Sequence, residues 1–196
     1  MTQPAKGVYH KFGFKSLIPA SYAEWIEQLG ANVIPIPYTL DQDQIKTLMY
    51  QLNGLLLPGG GTQVFGPSLY EFYRSRVYYV LDIAKELNEK GIHFPVWGTC
   101  MGYEQIVNWA SGFTIWPTIV ANYHVPRRVH WNKKLLKNSK FRKYLSDKDL
   151  SALENQQISF FNHKFSISKE NFEKNQHLKA SMLPIGETYS KEGVDF

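Results

Sequence analysis

The sequence predicts an α/β protein, a doubly wound domain whose mostly parallel sheet carries helices on both faces. Three observations predict it. Helical and strand-like patterns alternate along residues 21–112. The strand-like runs are short and continuously apolar, which is how strands buried on both faces read. Two of these runs end in glycine-rich turns, "LLLPGGG" (Leu55–Gly61) and "FPVWGTCMG" (Phe94–Gly102), and in such sheets chemistry gathers at the carboxyl ends of the strands.

Taken in order, "SYAEWIEQLG" (Ser21–Gly30) reads as a helix with Ser21 as its cap and Gly30 as its stop. "NVIPIP" follows as a short strand. "LDQDQIKTLMYQL" (Leu40–Leu52) reads as a helix that Asp41 or Asp43 caps. "GLLLPGGG" (Gly54–Gly61) is a strand running into its turn. "PSLYEFYRSRVYYVLDIAKELNEKG" (Pro67–Gly91) is a long amphipathic helix stopped by Gly91. "FPVWG" (Phe94–Gly98) is a buried strand, and "CMGYEQIVNWAS" is a helix again. After Gly112 the pattern loses regularity. With no repeat, linker or second boundary visible, residues 1–196 are expected to form a single domain.

Composition narrows the function classes. Hydrophobic residues make up 43% and charged residues 20% of the chain, a globular balance. No apolar run approaches the ~20 residues of a membrane helix, so no membrane partner is expected. The start, "MTQPAKGVYHKF", is not a signal peptide. Six scattered histidines and one cysteine offer no metal-ligand cluster. The net charge of +5 is concentrated between Arg127 and Lys148. That stretch reads either as a binding surface for an anion or as a solvated helix with Leu135, Leu136, Phe141, Tyr144 and Leu145 on its buried stripe. No nucleic-acid motif accompanies the charge, so no nucleic-acid partner is expected.

The lone cysteine carries the sharpest signal. In Gly98-Thr99-Cys100-Met101-Gly102 a strand turns into a helix with small residues two before and two after the centre. That is the spacing of a nucleophile elbow, where glycines admit a tight turn that pushes the central side chain outward. A helix N-terminus beside the sulfur favours a thiolate. The competing reading is a buried cysteine acting as a small hydrophobe. An acyl-transfer nucleophile also needs an oxyanion hole. Gly59, Gly60 and Gly61 after the neighbouring strand offer main-chain N–H groups for it, joined by that of Met101. "PGGG" alone is also a plain turn. It is neither a phosphate-binding P-loop nor a G-x-G-x-x-G fingerprint.

"NGLLLPGG", "FPVWGTCMGYE" and "FNHKFSIS", together with "PASYAEWIEQLGANVIPI", resemble the folate γ-glutamyl hydrolases (peptidase family C26) of the class I glutamine amidotransferase-like superfamily. The resemblance runs from Met1 to Phe196. It implies a flavodoxin-like three-layer fold and a cysteine-type omega peptidase that cuts the γ-glutamyl bonds of folylpoly-γ-glutamates through a thioester. It puts Cys100 on the nucleophile, Gly60 and Gly61 near the oxyanion loop, and Glu104 and His163 on substrate-binding positions. On spacing alone, Glu104 reads equally as an exposed helix glutamate, and His163 as a capping or core-edge histidine. No cofactor is implied, the partner is a small-molecule folate polyglutamate or γ-glutamyl peptide, and a homodimer is left open. The compartment implied is the lysosome, the vacuole or the extracellular space.

The chain departs from the family at both ends. The family's catalytic histidine sits in a later Trp-His-Pro-Glu-like segment, and no His-Pro occurs here. "MTQP" resembles the end of the first strand. A fragment truncated at both ends is therefore expected, poorly active and marginally stable by itself. Two alternatives stay open: a glutaminase-type amidotransferase domain, and a catalytically dead paralogue that binds γ-glutamyl or folate ligands.

Overall fold

The computed structural model describes residues 1–62, 70–115, 118–191 and 193–196, with the side chains at 120–123 outside the description. The chain divides into two units, Met1–Trp109 and Ala110–Phe196.

The first unit is α/β. Its elements are β1 (Gln3–Pro4), α1 (Val8–Lys11), β2 (Ser16–Leu17), α2 (Ala20–Glu27), α3 (Gln42–Met49), β3 (Leu55–Leu57), α4 (Glu71–Glu89), β4 (Val96–Gly98) and α5 (Met101–Ala110). β3 and β4 pair in parallel, with Leu55 opposite Val96 and Leu57 opposite Gly98. β1 and β2 pair antiparallel. Main-chain bonds carry the arrangement outward from β3: the Met1 amine donates to Leu56 O (2.8 Å) and Thr2 N to Ile36 O (2.9 Å). The expected strand "NVIPIP" is not a regular one. Pro35 and Pro37 bring no N–H to a ladder.

Helix α4 organises the core. Tyr73, Val77, Val80, Leu81, Ala84 and Leu87 are buried at helical spacing. They join Ile45 and Met49 of α3, Leu55 and Leu57 of β3, Phe94 and Met101 in one cluster. Full burial of a Leu or Val side chain stabilises by about 1.5–3 kcal/mol, so this cluster holds the two parallel strands in place. The Asn88 amide aims the chain into β4, donating to Phe94 O (2.8 Å) and accepting from Phe94 N (3.2 Å). α3 starts on a capping box between Asp41 and Gln44, as expected. α2 differs: Pro19 precedes it and no side chain caps it, so Ser21 lies inside the helix, while Gly30 takes the left-handed stop (φ +83°). The expected start of α4 at Pro67 lies outside the described residues.

The second unit is built on an antiparallel pair, β5 (Thr118–Arg127) with β7 (Ser159–Ser166). β6 (His130–Trp131) pairs with β8 (Gly186–Glu187). Short helices fill the intervals: α6 (Lys133–Asn138), a 3-10 turn (Lys140–Tyr144), α7 (Asp147–Asn155), α8 (Lys169–Lys174) and α9 (Gln176–Ser181). The continuous amphipathic helix expected across Leu135–Leu145 is broken. Ser139 is extended (ψ 149°) and its hydroxyl caps the following turn through Arg142 N. Leu136 is buried, whereas Tyr144 is 81% exposed. No described helix is long and apolar enough to cross a membrane.

Candidate active site

Strand β4 ends at Gly98, and α5 begins at Met101. Between them Cys100 takes φ +51°, in the left-handed region. For a residue with a Cβ this is a strained conformation, of order 1–3 kcal/mol, and the neighbouring contacts hold it. Thr99 N donates to Leu57 O (3.1 Å), Gly102 N to Thr99 O (2.9 Å) and Glu104 N to Cys100 O (2.9 Å). The flanking glycines are required by space. A Cβ on Gly102 would run into the Leu57 carbonyl, and one on Gly98 would meet Gly102 O at 2.8 Å and Ile106 Cδ1 at 2.5 Å. Helix α5 can therefore start against β3 and β4 only because both positions lack side chains.

The glycine loop after β3 approaches from the other side. A Cβ on Gly59 would lie 3.3 Å from Cys100 Cβ. The main-chain N–H groups of Gly60 and Met101 each favour the ionised form of the Cys100 sulfur. Gly61 turns its carbonyl to Lys6 Nζ (2.6 Å). Of the residues expected around the reacting carbonyl, Met101 directly follows Cys100 and Gly60 belongs to the loop that lies against it.

The electrostatics at the sulfur are opposed. The two N–H groups favour the thiolate. Burial, first, and the Glu104 carboxylate, second, push the thiol up, and they win. The helix N-terminus therefore does not by itself produce the low thiol pKa expected from it. Glu104 is half-buried, and burial lifts its carboxyl from the usual 4.5 to about 7. It sits on α5 one turn after Cys100, so it belongs to the site's surroundings rather than to an open helix face.

His163 lies in the second unit on β7. Its Nδ1 is 3.0 Å from Phe165 O, and its ring packs edge-on against Phe161 and Phe196. Burial pulls its pKa down, against the Phe165 carbonyl contact that raises it. Among the described residues no three His, Cys, Asp or Glu side chains stand together as a metal-binding group.

The peptidase C26 model matches residues 2–177. The chain belongs to the peptidase C26 family. Relatives include γ-glutamyl hydrolase B of Dictyostelium discoideum, 33% identical over all of this chain and 55% of its own length. The γ-glutamyl hydrolase of Bos taurus is 31% identical over 93% of this chain and 55% of its own. That of Mus musculus is 36% identical over 83% and 49%. The chain spans about half the length of the curated relatives it matches.

Several residues of this C26 site carried no signal in the sequence. Gln3 Nε2 donates to Gly59 O (2.9 Å), Gly59 N donates to the Tyr22 hydroxyl (2.9 Å), and Lys6 reaches Gly61. "MTQP" and "SYAE" read as a strand end and a helix start. Nothing local marks a glutamine or a tyrosine as the tether of a loop far along the chain.

Proposed function

We propose that the protein carrying this chain is a cysteine-type γ-glutamyl hydrolase acting on folylpoly-γ-glutamates. The observation that supports this best is the strained Cys100 at the turn from β4 into α5, with two main-chain N–H groups that favour its thiolate. The Cys100 thiolate attacks the γ-amide carbonyl and forms a tetrahedral adduct. The N–H groups of Gly60 and Met101, with Gly61 in the same loop, hold the negative charge on its oxygen. The C–N bond then breaks, the leaving amine takes a proton from a histidine, and Cys100 keeps the acyl group as a thioester. Water gives a proton back to that histidine as its oxygen adds to the thioester; the C–S bond breaks, the γ-carboxyl product leaves and the Cys100 thiolate is restored.

Glu104 and His163 serve substrate binding in this reading. A Glu104 carboxyl with a pKa of about 7 is largely neutral below that pH. It can then donate to a substrate oxygen, and it spares the thiolate a neighbouring charge. The parallel β3–β4 pair of the first unit belongs to a doubly wound, three-layer sheet, a reading supported by the bonds that run outward from β3 through Met1 and Thr2. The compartment that goes with this reading is the lysosome, the vacuole or the extracellular space.

The test uses folate pentaglutamate and mass spectrometry of the products. Shortened glutamate chains are expected from the protein, and none from Cys100→Ser. Equal cleavage by the two would overturn the proposal.

A further inference from the structure

The peptide joining Gly59 to Gly60 has its two polar groups on opposite sides, because a trans peptide is planar and its C=O and N–H point apart. Here both are engaged. The C=O, that of Gly59, accepts from Gln3 Nε2 (2.9 Å). The N–H, that of Gly60, points away from Gln3 and favours the ionised form of Cys100, whose Cβ would lie 3.3 Å from a Cβ on Gly59. The preceding N–H, on Gly59, donates to the Tyr22 hydroxyl (2.9 Å). The Gln3 amide also crowds the Gly60 Cα: a Cβ there would run into Gln3 Oε1 and sit 2.7 Å from its Cδ.

Without these ties the peptide would turn easily. Glycine flanks it on both sides, so the two torsions that reverse a peptide meet no Cβ barrier. A reversed peptide would point a carbonyl, not an N–H, at the sulfur and at the developing oxyanion, and would repel both. The tethers come from separate elements. Gln3 is 5% exposed and held in β1 opposite Leu17, and Tyr22 stands on α2. Neither touches the reacting atoms through these bonds.

We infer that Gln3 and Tyr22 are positioning residues that lock the Gly59–Gly60 peptide with its N–H toward Cys100 and prevent the flip that would dismantle the oxyanion hole. The inference rests on the reading of the Gly60 N–H as an oxyanion donor. It adds the residues that keep that donor aimed.

The experiment measures Cys100 alkylation by iodoacetamide as a function of pH in the unsubstituted protein, Gln3→Met, Tyr22→Phe and Ile45→Val, with melting curves for each. Ile45→Val is a core truncation in α3 and controls for general loosening. The lock predicts that the alkylation midpoint moves up in Gln3→Met and Tyr22→Phe, because the thiolate loses a donor, and stays in place in Ile45→Val. With folate pentaglutamate, kcat in Gln3→Met falls about 10²-fold, the scale for losing one oxyanion donor, while KM changes little. Tyr22→Phe removes one oxygen from a half-buried side chain, so it decides the matter alone if Gln3→Met does not fold. Alkylation midpoints unmoved in the folded variants would overturn the lock. Because alkylation needs no substrate, the two proposals separate. A shifted midpoint in a protein without γ-glutamyl turnover strikes the hydrolase reading and leaves the lock, and an unshifted midpoint in an active enzyme strikes the lock alone.

Discussion

The two units of this chain are held together by different means. In residues 1–109 one continuous apolar cluster runs from Met1 to Met101 around α4, and the helices lean on it. Of α1, α2, α3 and α4, α3 alone has a side-chain cap. In residues 110–196 the buried apolar side chains among the described residues are Leu136, Ile167 and Leu178. There the short helical segments are each started by a polar side chain: Asn132, Ser139, Ser146, Ser168 and Asn175. The difference teaches where strained chemistry can be placed. A left-handed residue alone does not need a packed core, since Phe113 (φ +63°) and His124 (φ +50°) lie in the second unit. A left-handed cysteine flanked by two glycines without room for a Cβ needs a background that does not relax. The packed unit supplies it, and the capped unit has no equivalent core.

The sharpest break of that comparison is Leu57→Ala. Leu57 is fully buried and its carbonyl receives Thr99 N. Its truncation is expected to cost about 2–5 kcal/mol, read from denaturant unfolding. A loss below about 1 kcal/mol would mean that the cluster is not what holds the elbow. Next in size is Asn132→Ala in the capped unit, which removes the acceptor for Leu135 N. About 1 kcal/mol is expected, with most of it retained in Asn132→Ser. A silent Asn132→Ala would contradict the claim that caps hold this unit.

A third effect separates the site from its scaffold by pH. The Glu104 carboxyl is raised from 4.5 to about 7 in the folded chain. Between those pH values the folded chain keeps a proton that the unfolded chain has released, so stability falls as pH rises through the window and levels off above it. Glu104→Gln is expected to flatten that slope. It should also bring the Cys100 alkylation midpoint down, since a carboxylate that pushes the thiol up is gone. An unchanged slope would remove Glu104 from the account. The smallest effect belongs to the surface. Lys174→Ala breaks an exposed ion pair with Glu170 and should leave the melting temperature unchanged at physiological salt.

What could be read in the sequence was what is local. The elbow is legible because its steric demand lies within five residues, Gly98 to Gly102, and the glycine loop beside it because it directly follows an apolar strand. The α3 cap and the Gly30 and Gly91 stops are local for the same reason. Failures came where a neighbour decides. Leu135–Leu145 has the periodicity of one helix, yet the Ser139 hydroxyl competes for the main chain and divides it. "NVIPIP" is apolar enough for a strand, but its prolines cannot pair. Gln3 and Tyr22 reach Gly59 across 56 and 37 positions of sequence, a distance at which no pattern in a single sequence marks them. The thiol's electrostatics divide along the same line. The N-terminal N–H groups are local, but the burial that outweighs them is a property of the fold.

The measurement that tests the central claim most directly is rapid acid quench of the protein with a γ-glutamyl substrate, followed by mass spectrometry of the peptide that contains Cys100. The account predicts a transient γ-glutamyl thioester on Cys100 that forms and decays at the rate of turnover. Turnover with the acyl group on another residue, or with Cys100 never modified, would contradict it.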